Sequence, residues 1–333
     1  MAQSDYDCQS VALCVHQEYI ELGLFHYGLE VFSEQDFLDA GLTVEDRRLI
    51  EYVAIQEAGH ATLLSNMLGE STPRQCTYSY PFKTVREFLN FNVKLTRWGE
   101  SGTWGWLRHL NSKEVATMVV KAEAIEARQQ ATFRQLLGLH PMPIWFAPGI
   151  PQSWHWTLLV QYISSCPENN IRLVWQNFPN LYVVNQANPN RIDPNSTEAR
   201  EVVGSRTGDP SDSRIPEAES CTHNNVTGYN CGPAITRDKY DPLTFPGAKS
   251  SLPGTSQAVL WGRTTAMSPQ RWRVSPRQNQ GYTYQPASEV FETDPALNGT
   301  AFIAITDTDL FVTPYNLTML NPHIRALGLY QAG

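Results

Sequence analysis

The chain of 333 residues lacks any apolar run near the ~20 residues that cross a bilayer, so no membrane span is expected. Charged residues make up only 17%, the formal net charge is −8, and no basic block occurs, which argues against nucleic acid as a partner. The start, Met-Ala-Gln-Ser-Asp-Tyr-Asp-Cys, has neither a basic n-region nor an apolar h-region and does not read as a signal peptide. A mature chain with its leader removed stays open. Cysteine is scarce: Cys8, Cys14, Cys76, Cys166, Cys221 and Cys231 are too few for a disulfide scaffold and match no zinc spacing. Cys221 and Cys231 flank a polar Asn/Gly loop, as a surface disulfide would. Also absent are Gly-x-Ser-x-Gly, a cysteine in a glycine-rich turn, and the Walker and Rossmann glycine patterns. Asn-x-Ser/Thr sequons at Asn195, Asn225, Asn298 and Asn316 tip the balance slightly from a cytoplasmic to a secreted protein.

What is present divides in two. Residues 10–140 carry helical periodicity, with predicted helices from Ser10 to Phe32, from Thr43 to Gly69, from Thr84 to Leu110 and from Ser112 to Gly138. Thr43 with Asp46 and Thr84 with Glu87 read as capping boxes. Short connections make two antiparallel hairpins, and the longer 70–83 link, with Pro73 and Pro81, suits a crossover. A fifth helix is expected from Pro151 to Cys166. Residues 185–256 are dense in Pro, Gly, Ser, Asn and Thr and read as loop, while Leu181–Val184, Ala258–Trp261 and Ala301–Thr306 read as strands. The expected organisation is a helical bundle over 1–166 and an irregular, partly β region over 167–333, packed on it.

The chemistry sits in the second helix, which contains Glu57-Ala-Gly-His60. Residues three apart share a helix face, and Ile50, Val53, Ala54, Ala61 and Leu64 would bury that face. A buried Glu and His need a partner. Glu-x-x-His facing inward is the metal half-site of ferritin-like four-helix bundles, which repeat it in a second hairpin. The second copy here is Glu126-Ala-Arg-Gln129. Glu18 lies about 14 residues from the end of the first helix, roughly 21 Å, and Glu57 lies at a similar depth in the second, so Glu18 is preferred to Glu21. On the third helix Glu100 is the nearest acid to Glu126, but strict counting puts Arg97 closer, and a salt bridge is the alternative there. Glycines around Glu100 could bulge that helix and shift its register.

The runs Gln-Glu18-Tyr-Ile-Glu21-Leu-Gly-Leu-Phe, Glu57-x-x-His60 and Ile-Glu126-Ala-Arg-Gln-Gln-Ala-Thr-Phe-Arg134 resemble the ferritin-like domain of fungal stress-response proteins of the Rds type, related to plant desiccation-related proteins. Gly149-Ile-Pro-Gln-Ser-Trp-His-Trp156 and the ending from Thr-Asp-Leu-Phe-Val-Thr-Pro to Leu-Gly-Leu-Tyr-Gln resemble the same family. The resemblance implies a mainly α fold, a ferritin-like bundle with a family-specific C-terminal region, and carries Glu18, Glu57, His60, Glu100 and Glu126 onto metal ligands. Gln129 stands where the wider pattern has a second His. An amide oxygen is a poorer ligand than imidazole for iron(II), so one strong and one weak or empty position are expected, for iron or manganese, or no metal at all.

Glu57, His60 and Glu18 are thus the candidate catalytic groups. Trp98, Trp104, Trp106, Trp145, Trp154 and Trp156 read either as packing or as the wall of a pocket for a small hydrophobic or aromatic, polyketide-like molecule. His16, His26, His109, His140 and His155 read as structural, His26 being two turns from Glu18 on a similar face. Three functions compete: a metal-assisted oxidoreductase of small-molecule, fungal secondary metabolism; a metal-independent acid–base cyclase or addition catalyst; and a non-enzymatic secreted protective protein. A homodimer is left open.

Overall fold

The computed structural model describes residues 4–183 apart from 140, 143 and 145, strand segments between 223 and 283, and residues 299–332 apart from 309 and 311. The chain divides into two compact units, residues 1–136 with 149–176, and residues 137–148 with 177–333.

The first unit is built on α1 (Asp5–Val31), α3 (Val44–Leu68), α4 (Val85–Trp106) and α5 (Lys113–Leu136). α1 packs along α3 and α4 along α5, while α1–α4 and α3–α5 contacts join the two hairpins into a four-helix bundle. Each start is fixed locally. Thr43 and Thr84 accept from the N–H groups of Asp46 and Glu87, whose carboxylates return the bond to the cap backbone. Such caps contribute about 1 kcal/mol each. α3 ends at Gly69, at φ 60°, and α5 stops ahead of Gly138, at φ 74°.

Several boundaries move. α1 starts at Asp5, capped by Ser4, one and a half turns earlier than its apolar pattern suggested. A short helix, α2 (Glu34–Asp39), intervenes, and its Ser33/Asp36 capping box repeats the signal read at Thr43. α4 tightens into a 3₁₀ turn after Trp106. α6 (Gln152–Val160) ends before Cys166, because residues 163–165 form a strand. That strand, β2 (Ile163–Ser165), pairs antiparallel with β1 (Thr77–Tyr78) in the crossover link. Beside it Cys76 and Cys166 form a disulfide that closes a loop with a sequence separation of 90. The chain-entropy account assigns a loop of this size about 4.6 kcal/mol. The bridge suggested for Cys221 and Cys231 lies outside the described residues, as do three of the four sequons. Asn316 is described, and its Oδ1 accepts from the backbone N–H and hydroxyl of Thr313.

The glycines of α4 do not bulge it. The helix is continuous, and glycine serves close approach instead. A Cβ at Gly102 would stand 2.1 Å from His155 Nδ1, and one at Gly105 would stand 1.9 Å from the Ile150 carbonyl oxygen. Trp98, Trp106 and Trp154 are core side chains. Trp98 stacks on Tyr162 at 5.6 Å and donates its indole N–H to Gln17 Oε1 at 3.1 Å.

The second unit carries the strands. β3 (Tyr182–Val183), β6 (Asp241–Thr244), β10 (Gln280–Thr283) and β9 (Arg273–Ser275) form one sheet in that order. β12 (Ile324–Ala332), β11 (Gly299–Thr306), β7 (Ala258–Gly262) and β8 (Met267–Arg271) form another. β4 (His223–Asn224) and β5 (Gly228–Tyr229) pair as a short ribbon. Ala301–Ile305 of β11 are buried without alternation, which marks a strand covered on both faces. Of residues 185–256, read as loop, only 223–224, 228–229 and 241–244 are described, and these are strand segments.

Candidate metal centre

α1 is buried on most of its surface, which is why a helix with a weak apolar stripe can carry its carboxylates inward. On α3 the predicted residues Ile50, Val53, Ala54, Ala61 and Leu64 are buried, and Glu57 is buried among them. Glu18 of α1, Glu57 and His60 of α3 and Glu126 of α5 meet inside the bundle. Each offers one ligand atom, and these atoms all lie within 4.8 Å of one another. His60 Nδ1 is the focus. It stands 3.0 Å from Glu126 Oε1 and 3.3 Å from both Glu18 Oε2 and Glu57 Oε2. The equal depth argued for Glu18 and the Glu57/His60 pair is therefore realised in space.

The donor set fits a metal ion. One Nδ1–H serves one acceptor well, and Glu126 takes that place. Glu18 Oε2 and Glu57 Oε2 are left buried with no geometric hydrogen bond in the protein. Ligand atoms sharing an ion at about 2.1 Å sit roughly 3.0–3.4 Å apart, from octahedral to tetrahedral, and the distances from Nδ1 fall in that range. Three carboxylates against one imidazole also leave negative charge that a cation would neutralise.

Protonation carries the same strain. Burial, reinforced by Glu57 and opposed by His60, pushes the Glu18 carboxyl up to about 7. Burial, then Glu21 and Glu57, holds the Glu126 carboxyl well above its usual range. Burial alone would hold the His60 imidazole low, but the hydrogen bond with Glu126 and the close carboxylates of Glu18 and Glu57 overcome it and raise the ring above its ordinary value.

One of the other expected ligands stands apart. Glu100 is drawn off by Arg97, whose guanidinium lies 2.8 Å from its carboxylate, while Arg97 also donates to Gln130 Oε1. The reason is spacing: Arg97 sits one turn before Glu100 on the same helix and supplies a fixed cation. Trp104 Nε1 donates weakly to Glu100 at 3.4 Å. Gln129 lies beside the four donors. Its amide nitrogen donates to Glu57 Oε1 and Gln56 Oε1. His26 is exposed, whereas His155 is buried, donates its Nε2–H to Gln17 Oε1 at 2.8 Å and is held low, to about 3, by burial.

Two further carboxylates are buried in the same bundle, Glu21, ranked behind Glu18 in the sequence, and Glu123, which the sequence reading missed. Glu21 is 1% exposed and Glu123 5% exposed. Both are held well above the usual carboxyl range, first by burial and then by neighbouring carboxylates, Thr103 opposing the shift at Glu123. The signal for them was present: Glu18-x-x-Glu21 and Glu123-x-x-Glu126 each place a second acid on the face of a site residue.

Comparison with known proteins agrees with this architecture. A family model described as ferritin-like domain matches residues 4–139, the stretch that holds α1 to α5. Protein rds1 of Schizosaccharomyces pombe is 36% identical over 352 aligned residues, covering 99% of this chain and 82% of that protein. Among the described residues no helix is long and apolar enough to cross a membrane. With that bundle, and a likeness running through nearly the whole sequence, the chain belongs to the ferritin-like family that includes protein rds1.

Proposed function

We propose that the bundle is a metal-dependent oxidoreductase acting on a small hydrophobic or aromatic molecule. The observation that supports this reading is the convergence of three carboxylate oxygens on His60 Nδ1, two of them otherwise unpartnered. Glu18, Glu57, His60 and Glu126 would hold an iron or manganese ion, which would supply redox and Lewis-acid chemistry. The chain's own residues do the rest. His60 is the one nitrogen donor of the four. Glu18 would bind the ion as a carboxylate, so its carboxyl, held at about 7 while the ion is away, would release its proton on loading. The side chains of His60, Glu18, Glu126 and Glu57 are 12%, 7%, 6% and 0% exposed, so bulk water is kept back and only a small molecule or a narrow group can reach them.

The test is metal content and turnover together. Purified chain, stripped and reloaded with iron(II) or manganese(II), should retain metal and consume oxygen with an aromatic electron donor. His60→Ala should retain close to none and lose the activity. Wild type that retains no metal after loading overturns the reading. A metal-free acid–base catalyst then takes its place, favoured by the Glu18 carboxyl lying close to neutrality beside an imidazole 3.3 Å away. Its mark would be activity that survives chelation but not Glu18→Gln.

A further inference from the structure

Gln129 turns its nitrogen toward the centre. It comes from α5 and is 4% exposed, and its Nε2 donates to Glu57 Oε1 and, at 3.3 Å, to Gln56 Oε1. Both acceptors belong to α3. They are successive residues, about 100° apart around the helix axis, Glu57 fully buried and Gln56 on the half-buried flank. An amide nitrogen carries two N–H groups in one plane, so two acceptors occupy both and fix the plane of the group. The carbonyl oxygen, on the other arm of the amide, is buried with no hydrogen bond in the protein. The donating end of Gln129 is thus satisfied while the accepting end is not.

Glu57 shows the matching division. Its Oε2 faces His60 Nδ1 at 3.3 Å, and its Oε1 receives the Gln129 amide. Glu126 lacks such an anchor: Oε1 stands 3.0 Å from His60 Nδ1, and Oε2 is buried without a partner. A carboxylate held at one oxygen by a neighbouring N–H presents the other in a fixed direction. Loss of such a supporting contact weakens metal binding about 10–100-fold.

We propose that Gln129 is a positioning residue: its amide, steadied by Gln56, holds Glu57 so that this carboxylate meets the ion through Oε2 alone. The proposal rests on the centre being a metal site. It makes Gln129 a hydrogen-bond donor to a ligand, not itself a ligand, and it gives Gln56, which lies outside the four donors, a part in the site.

The experiment uses the whole chain, stripped with chelator and titrated with Co²⁺, whose visible absorption strengthens as its coordination number falls. Gln129→Leu neither donates nor ligates. It should bind Co²⁺ about 10–100-fold more weakly than wild type and absorb less per bound ion, since a freed Glu57 can turn both oxygens to it. Gln56→Ala, on the half-buried flank, should move both readouts the same way by a smaller factor, and it carries the test if Gln129→Leu does not fold. Were Gln129 a ligand, its loss would raise the absorption per ion and Gln56→Ala would change neither readout; either result overturns the proposal. A lower Tm of the metal-free variants with unchanged affinity and spectrum shows a merely structural role and also overturns it, while the metal reading stands. Wild type that binds no Co²⁺ removes both.

Discussion

Arg97 and Glu100 offer a sharp test of how the second hairpin has diverged. The two side chains are 2.8 Å apart, and the residues are 6% and 5% exposed. Removing one partner of such a pair costs about 3–5 kcal/mol, because the other charge stays buried. The two removals are not equivalent. A stranded carboxyl can take up a proton, which from a reference pKa of about 4.3 costs about 3.7 kcal/mol at pH 7 and sets a ceiling on the penalty. A guanidinium has no such escape, although Gln130 Oε1 remains to it as a neutral acceptor. Arg97→Met should therefore cost about 2–3 kcal/mol and Glu100→Gln about 4 kcal/mol, while the double variant costs about 2 kcal/mol or less. Urea unfolding at pH 7, followed by tryptophan fluorescence and far-ultraviolet circular dichroism with m-values compared, reads all three. At pH 5 the proton costs only about 1 kcal/mol, so the Arg97→Met penalty should shrink toward that figure while the Glu100→Gln penalty does not. A double variant as unstable as the worse single one would refute the reasoning. So would two single variants within about 0.5 kcal/mol of wild type.

The metal-stripped chain should lose stability as pH rises. The carboxyls of Glu18, Glu21, Glu123 and Glu126 are raised in the folded state, Glu18 to about 7, so their contribution is present below the unfolded carboxyl range and fades as pH climbs through the folded values. The raised His60 ring acts in the same direction above its unfolded value. Thermal melts of chelated protein from pH 5 to 8 should show a falling Tm, with Mn²⁺ restoring more stability at pH 8 than at pH 5; a flat or rising Tm counts against the protonation scheme. Packing at α4 predicts a graded response to added Cβ atoms. Gly102→Ala meets the His155 ring and should cost about 1–3 kcal/mol. Gly105→Ala meets the Ile150 backbone and should cost more, the opposite of the gain of about 1 kcal/mol that alanine brings to an open helix. Equal or higher Tm in both variants would show that these contacts are loose.

The sequence by itself determined the bundle and half of its centre. Capping boxes at Thr43 and Thr84 and glycine stops at Gly69 and Gly138 are local signals, formed by residues within a turn or two of each other, so they survive without tertiary context. The depth of Glu18 against Glu57 and His60 was legible for a similar reason, since a short connection fixes the register of a hairpin and 1.5 Å per residue does the rest. What lies between hairpins was decided only in three dimensions. For Glu100 the sequence left two readings open, metal ligand or ion-pair partner of Arg97, and the packed interior decides for the pair. The burial of Glu21 beside Glu18 was not legible either, because α1 is buried on most of its surface, a property of its neighbours and not of its own stripe. The Cys76–Cys166 bridge was equally hidden, for it depends on two distant segments meeting as β1 and β2. Local rules set where helices begin and how far along them a residue lies; which charges must share a dry interior follows only from the assembly of all four.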